Sequence, residues 1–206
     1  LLVASGTPTI VSDVINALPN LKWIHGLFAG LDHMQTPAFT NFPGVVTNAK
    51  SVLSSSLAEY VMFAIGYFNK SCELLQYNKS QRNWDQFQIG EMRGKTMCII
   101  GYGDIGQACA KLAKAYGIKV IAIRRTPSKS NTDPYIDECW GNSRIIDVMG
   151  RSDFCVVAAA LTNETRGMLG QAELSAAKRG QIFINIGRGA LLNEPALITL
   201  ANQGHF

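Results

Sequence analysis

At 206 residues the chain is long for one compact domain and short for two full ones. Its 47% hydrophobic and 17% charged residues describe a globular protein rather than a disordered one, and a net charge of +4 without long single-sign runs excludes a nucleic-acid surface. The five cysteines show neither a C-x-x-C pair nor metal-ligand spacing, so no metal is expected and a reducing, cytoplasmic compartment is. No apolar run approaches the ~18 residues of a membrane span, and the first residues lack the basic stretch of a signal peptide, so no membrane partner is expected.

In chain order, residues 1–50 hold three strand-like pieces, Thr9-Ile10-Val11, Lys22-Trp23-Ile24-His25 and Gly44-Val45-Val46-Thr47. A short helix over 12–18, stopped by Pro19, separates the first two, which suggests a small α/β unit. Residues 25–33 then read as a glycine-containing turn after a strand, either structural or exposing backbone N–H groups to a ligand. Ser56 and Glu59 match a capping box, predicting a helix over 57–68. That helix is apolar almost all round and should be buried on several sides, as one between domains would be. A more polar continuation with Tyr77, Trp84 and Phe87 reads as a connector towards Gly94.

The stretch from Lys95 to Gly106 then reads as a buried strand running through G-x-G-x-x-G into a helix. Ile105, Ala108, Cys109, Leu112 and Tyr116 lie on one side of that helix, and Gly117 stands at its C-cap. In this setting Gly101 permits the tight turn, Gly103 lets backbone approach a pyrophosphate, and Gly106 allows close helix–strand packing. The free N–H groups and positive dipole end at Asp104 and Ile105 face the anion. With a second strand over 119–123, the pattern predicts a dinucleotide site.

An acidic residue commonly ends the second strand of such sites and holds the ribose 2′-OH. Here Arg124, Arg125 and Thr126 stand there instead. A carboxylate repels a 2′-phosphate, whereas guanidinium groups bind one bidentately, so NADP(H) is favoured over NAD(H). The chain goes on as helix 144–149, strand 153–158, helix 171–178 closed by Gly180, and strand 181–186. Gly187-Arg188-Gly189 follows, and Asn193 caps a last helix carrying Pro195 in its first turn. Ligands of open parallel sheets bind at the carboxyl ends of strands, which aims Arg188 at the site.

Five segments, in order, resemble the D-isomer-specific 2-hydroxyacid dehydrogenase family. They are Ala29-Gly30-Leu31-Asp32, Ser56-Leu57-Ala58-Glu59-Tyr60, the stretch from Gly94 to Gly106, Leu161-Thr162-Asn163-Glu164-Thr165-Arg166, and Asn185-Ile186-Gly187-Arg188-Gly189-Ala190. The resemblance implies an α/β fold: a Rossmann doubly wound parallel sheet over 51–206, with an interdomain helix and connector over 51–93, plus an incomplete flavodoxin-like substrate lobe over 1–50. It implies a glyoxylate or hydroxypyruvate reductase-like oxidoreductase, usually a homodimer, acting on a small 2-keto acid.

By the same resemblance Arg188 grips the substrate's carboxylate and keto oxygen, and the N–H groups of Ala29 and Gly30 form a second clamp. Ser54 lies near the nicotinamide, Ala160 and Thr165 fall in the loop passing the ribose, and Ile186 meets the nicotinamide amide. Two departures stand out. Ala160 and Asn163 replace prolines usual in that loop. The family's acid/base histidine and its glutamate follow a helix like that at 193–203, so Arg188 is the one catalytic residue of three here, and the chain reads as a fragment shortened at both ends. His25, His33 and His205 are not promoted to that role. A non-catalytic nucleotide-binding module of the same fold, a corepressor or sensor, is the alternative reading.

Overall fold

The computed structural model describes residues 2–4, 7–130 and 132–206, in two compact units, 1–54 and 55–206. In the first unit, strands β1 (Leu2–Ala4), β2 (Trp23–Gly26) and β3 (Val45–Asn48) form a parallel sheet in that order. Helix α1 (Pro8–Ala17) connects β1 to β2, and α2 (Pro37–Thr40) precedes β3. Val11, Ile24, Met34 and Phe39 make a small core. His25 Nδ1 lies 2.9 Å from the hydroxyl of Thr47, its partner across the sheet.

The second unit is α/β and Rossmann-like. Helices α3 (Ser54–Asn69) and α4 (Cys72–Ser80) lead into strand β4 (Thr96–Ile100). Then come α5 (Asp104–Ala115), β5 (Lys119–Ile123), β6 (Glu138–Trp140), α6 (Ile145–Arg151), β7 (Phe154–Val157), α7 (Gln171–Ser175), β8 (Ile182–Asn185) and α8 (Glu194–Asn202). The five strands are parallel, in the order β6-β5-β4-β7-β8, so the chain reverses its direction of travel beside β4.

Strand alternation divides the core cleanly. Met97, Ile99, Val120, Ala122, Phe154 and Val156 face α3 and α5 on one side. Cys98, Ile100, Ile121, Ile123, Cys155 and Val157 face α6, α7 and α8 on the other. Both faces are covered, which is why these strands read as unbroken apolar runs. Cys98 and Cys155 sit side by side in register and fully buried, as small hydrophobes.

Several expectations need correction. Residues 9–11 are helical, because the Thr7 side chain caps the N–H of Ile10 and Pro8 presets the first turn of α1. The first strand of that unit is instead Leu2–Ala4. Helix α3 begins at Ser54, so Ser56 lies inside it, and Ser55 rather than Ser56 reaches Glu59, at 3.4 Å. Nor is α3 buried all round: Ala58, Val61, Met62 and Ile65 make one inward stripe, while Tyr60 and Phe63 are exposed. On α5 the deepest residues are Gly106, Cys109, Ala110 and Ala113, small enough to let the helix lie close to the sheet; Ile105, Ala108 and Leu112 pack against the same core as expected, but Tyr116 is exposed. Helix α7 ends at Ser175, three residues early. The edge strand β6 carries no apolar run and was not anticipated.

Asp137 ties this edge together. Its carboxylate accepts the Val120 N–H at 2.7 Å and the Lys114 ammonium at 2.8 Å. Burial pushes the Asp137 carboxyl up, but those hydrogen bonds outweigh it and hold it below its ordinary value. A depressed carboxyl contributes stability above the unfolded-state pKa and loses it as pH falls through the folded value. Asp137→Asn should therefore cost about 1 kcal/mol at neutral pH and leave less stability to lose below about pH 4, read from urea midpoints across pH.

Candidate functional site

The glycine turn after β4 has a separate steric reason at each position. Gly101 has φ +99°, and a Cβ there would run into the Ala158–Ala159 backbone. At Gly106 a Cβ would meet the Gly101 carbonyl oxygen and Ile99, so α5 could not start against the end of β4. Gly103, the N-cap of α5, is different: a Cβ there would meet nothing within 4 Å. Its missing side chain leaves open space before the helix N-terminus, where Asp104 and Ile105 begin the first turn. This is a cradle for an anion. The residues present therefore fit a dinucleotide pyrophosphate.

A cleft of about 370 Å³ opens at the carboxyl ends of β4, β5 and β7. Gly101 and Gly103 floor it, Arg124, Arg125, Thr126 and Lys129 line one side, and Ala160, Thr165 and Glu164 line another. Three cations thus face one carboxylate. Hydrogen bonding to Thr162 holds the Glu164 carboxyl below its usual value, so it stays ionised. Arg124 is half-buried and donates from Nη1 to Ser130 Oγ, whereas Arg125 is exposed.

Thr165 shapes the loop after β7. Its Oγ1 donates to the Ala160 carbonyl at 2.7 Å and accepts the Thr162 N–H at 2.8 Å. This replaces, with hydrogen bonds, the stiffness that prolines at 160 and 163 would give. The Thr165 hydroxyl is therefore committed within the loop, leaving mainly its methyl to a ligand.

Arg188 follows β8, one strand beyond the cleft, and does not line it. Asn185 holds its turn, accepting the Gly187 N–H at 2.9 Å and donating to the Arg188 carbonyl at 3.1 Å. Arg188 is half-buried, with Nη1 on the Gly187 carbonyl at 3.2 Å. Ile186, whose N–H pairs with Val157, sits at the same strand end and also outside the cleft lining.

In the first unit, the carbonyls of Phe28 and Ala29 accept from the Ala49 N–H and the Asn48 side chain. A trans peptide sets N–H opposite C=O. The N–H groups of Ala29 and Gly30 therefore point away from β3, with Ala29 exposed. Ser54 closes this unit and starts α3; its hydroxyl is buried and makes no hydrogen bond among the described residues.

Sequence reasoning missed Tyr102, Ile123, Lys129, Asn142, Ala159, Thr162, Glu164 and Met168 of the cleft. Thr162 and Glu164 were within reach, because T-N-E-T is an evident hydroxyl-capped loop. Lys129 and Asn142 enter from the short 3₁₀ turns Pro127–Ser130 and Asn142–Arg144, too brief to carry a periodic signal.

Residues 62–206 match the sequence model of the D-isomer specific 2-hydroxyacid dehydrogenase, NAD binding domain. Over 213 residues the chain is 30% identical to D-3-phosphoglycerate dehydrogenase of Methanocaldococcus jannaschii, which covers 99% of this chain and 39% of that protein. Over 215 residues it is 32% identical to glyoxylate reductase of Thermococcus litoralis, covering 98% of this chain and 63% of that one. Among solved structures, a D-isomer specific 2-hydroxyacid dehydrogenase from Xanthobacter autotrophicus Py2, in complex with NADPH and MES, aligns with a TM-score of 0.77 at 25% identity. That alignment covers 93% of this chain and 60% of that one. The chain thus spans less than two thirds of each of these proteins.

The glycine geometry separates stability from binding. Gly106→Ala should lower the melting temperature, because its Cβ meets backbone. Gly103→Ala should leave melting within about 0.5 kcal/mol of the parent yet weaken nucleotide binding, as titration with NADPH would reveal.

Proposed function

Since the chain belongs to the D-isomer-specific 2-hydroxyacid dehydrogenase family, we propose that it serves an oxidoreductase reaction, hydride transfer between NADP(H) and a small 2-keto or 2-hydroxy acid. The observation that carries the choice of cofactor is the cluster of Arg124, Arg125 and Lys129 on the wall where β5 ends. A ribose diol gives such a cluster nothing to neutralise, whereas a 2′-phosphate does. NAD(H) is the alternative cofactor.

The nicotinamide, when bound, supplies or accepts the hydride. The chain's own residues bind and orient. Backbone N–H groups at the start of α5 take the pyrophosphate, with Gly103 leaving room for it. Ala160 and the methyl of Thr165 would border the ribose, and Ile186, at the end of β8, would meet the nicotinamide amide. Arg188 grips the substrate carboxylate and stabilises negative charge developing on its keto oxygen. His205 is not assigned the role of proton donor to substrate; its Nε2 lies 2.9 Å from the Ala177 carbonyl. A cytoplasmic homodimer completes the reading, supported by the exposed apolar surface of Tyr60, Phe63, Tyr77 and Trp84.

The test is nucleotide binding followed by glyoxylate-dependent oxidation of NADPH. NADPH should bind more tightly than NADH, and replacing Arg124 and Arg125 by alanine should weaken NADPH about 10- to 100-fold while sparing NADH. Equal weakening of both nucleotides would refute the phosphate reading. Where turnover is seen, Arg188→Lys should lower kcat/KM by about 10²-fold or more, since an ammonium lacks the planar fork. Tight NADPH binding without turnover would favour a nucleotide-binding module.

A further inference from the structure

Tyr102 occupies the first variable position of the glycine motif, yet it is 2% exposed. Its ring joins the core on the α5 side of the sheet. The hydroxyl donates to Asp133 Oδ2 at 3.0 Å. Burial and the Asp133 carboxylate both push the phenol pKa upward, so the group remains a proton donor. Asp133 Oδ1 accepts the Tyr135 N–H at 2.9 Å, and the Asp133 N–H donates to the Ser130 carbonyl at 3.1 Å. Both carboxylate oxygens are thus occupied, and Asp133 does not line the cleft. Ser130 is almost fully buried and accepts Nη1 of Arg124, whose guanidinium carbon lies 5.9 Å from the Tyr102 ring centroid. The contacts close a ring from the glycine turn through Tyr102, Asp133, Ser130 and Arg124 to the end of β5.

We propose that Tyr102, Asp133 and Ser130 are positioning residues for nucleotide selection, holding the Arg124 guanidinium at the cleft wall in readiness for the ribose 2′-phosphate. The inference rests on the phosphate reading of Arg124 given above. An arginine held before its ligand arrives loses less rotamer freedom on binding, so it discriminates more sharply than a freely moving one. Arg125, exposed beside it, acts mainly as a screened charge. The same ring keeps the Asp133 carboxylate turned from a site meant for a phosphate.

Tyr102→Phe removes one hydroxyl and keeps the ring. Its dissociation constant for NADPH should rise roughly three- to tenfold, and that for NADH by less than about twofold. In an Arg124→Ala background the same change should alter neither, because the effect passes through Arg124. Ser130→Ala, which cuts the other tether, should reproduce the selective loss and serves if Tyr102→Phe does not fold. Weakening of both nucleotides alike, or an effect that persists without Arg124, would mean that Tyr102 merely supports the glycine turn, and would overturn the inference. Equal affinity of the parent protein for NADPH and NADH would defeat the phosphate reading and this inference with it. A parent preference for NADPH that Tyr102→Phe and Ser130→Ala leave unchanged would defeat this inference alone.

Discussion

The constraint on which the larger unit's site depends is the contact between the first turn of α5 and the end of β4. A Cβ at Gly106 would sit 2.5 Å from the Gly101 carbonyl oxygen, so the helix can begin there only with a bare Cα. That approach brings the helix N-terminus over the sheet edge, and the dipole end and free N–H groups come with it. It also sets the depth of the floor from which the flanking loops rise. The alanines along α5 continue the same logic, since Ala110 and Ala113 keep the helix close over its whole length.

Placement of the other groups follows from the sheet. Because every strand is parallel, all the loops that leave carboxyl ends gather on one edge. The reversal beside β4 opens a gap there, and the loops after β5 and β7 form its walls. The basic wall is built in two ways. Arg124 continues the strand, so its backbone is fixed by the N–H bond to the Trp140 carbonyl at 3.0 Å. Lys129 arrives on a short 3₁₀ turn, Pro127–Ser130, which Pro127 begins. A strand end and a turn therefore converge on one place by different local rules.

Much of this was legible from residues alone. The strand–glycine–helix unit, the strands around Cys98, Val120, Val156 and Ile184, and the Asn193 cap all carry strong local signals. The misreadings were also local. Thr9-Ile10-Val11 is β-branched at all three positions, but Thr7 and Pro8 before it form a start signal that outweighs propensity. Aromatic residues on α3 suggested burial all round, yet only the stripe spaced by three and four residues faces inward. Edge strand β6 was invisible because its pairing with β5 covers three residues, and its side chains serve a charged surface where Glu138 meets Arg151 and Trp140. The Tyr102–Asp133 contact spans 31 positions and depends on an irregular loop, so no periodic pattern could announce it.

Strand order has a further consequence for the proposed reaction. The cationic wall lies beyond β5 and Arg188 lies beyond β8, with β4 and β7 between them. Three strand spacings separate the two, roughly 14 Å across the sheet. No compact ligand lodged in a single loop engages both ends. An extended dinucleotide would, with the glycine turn at the middle strand holding its phosphates. On that geometry the arginine after β8 faces whatever meets the far end of the ligand, and the arginines after β5 face whatever marks the near end. On the proposed reading the two kinds of basic residue answer separate questions, which acid is reduced and with which cofactor, and their separation across the sheet predicts that one can be altered without the other.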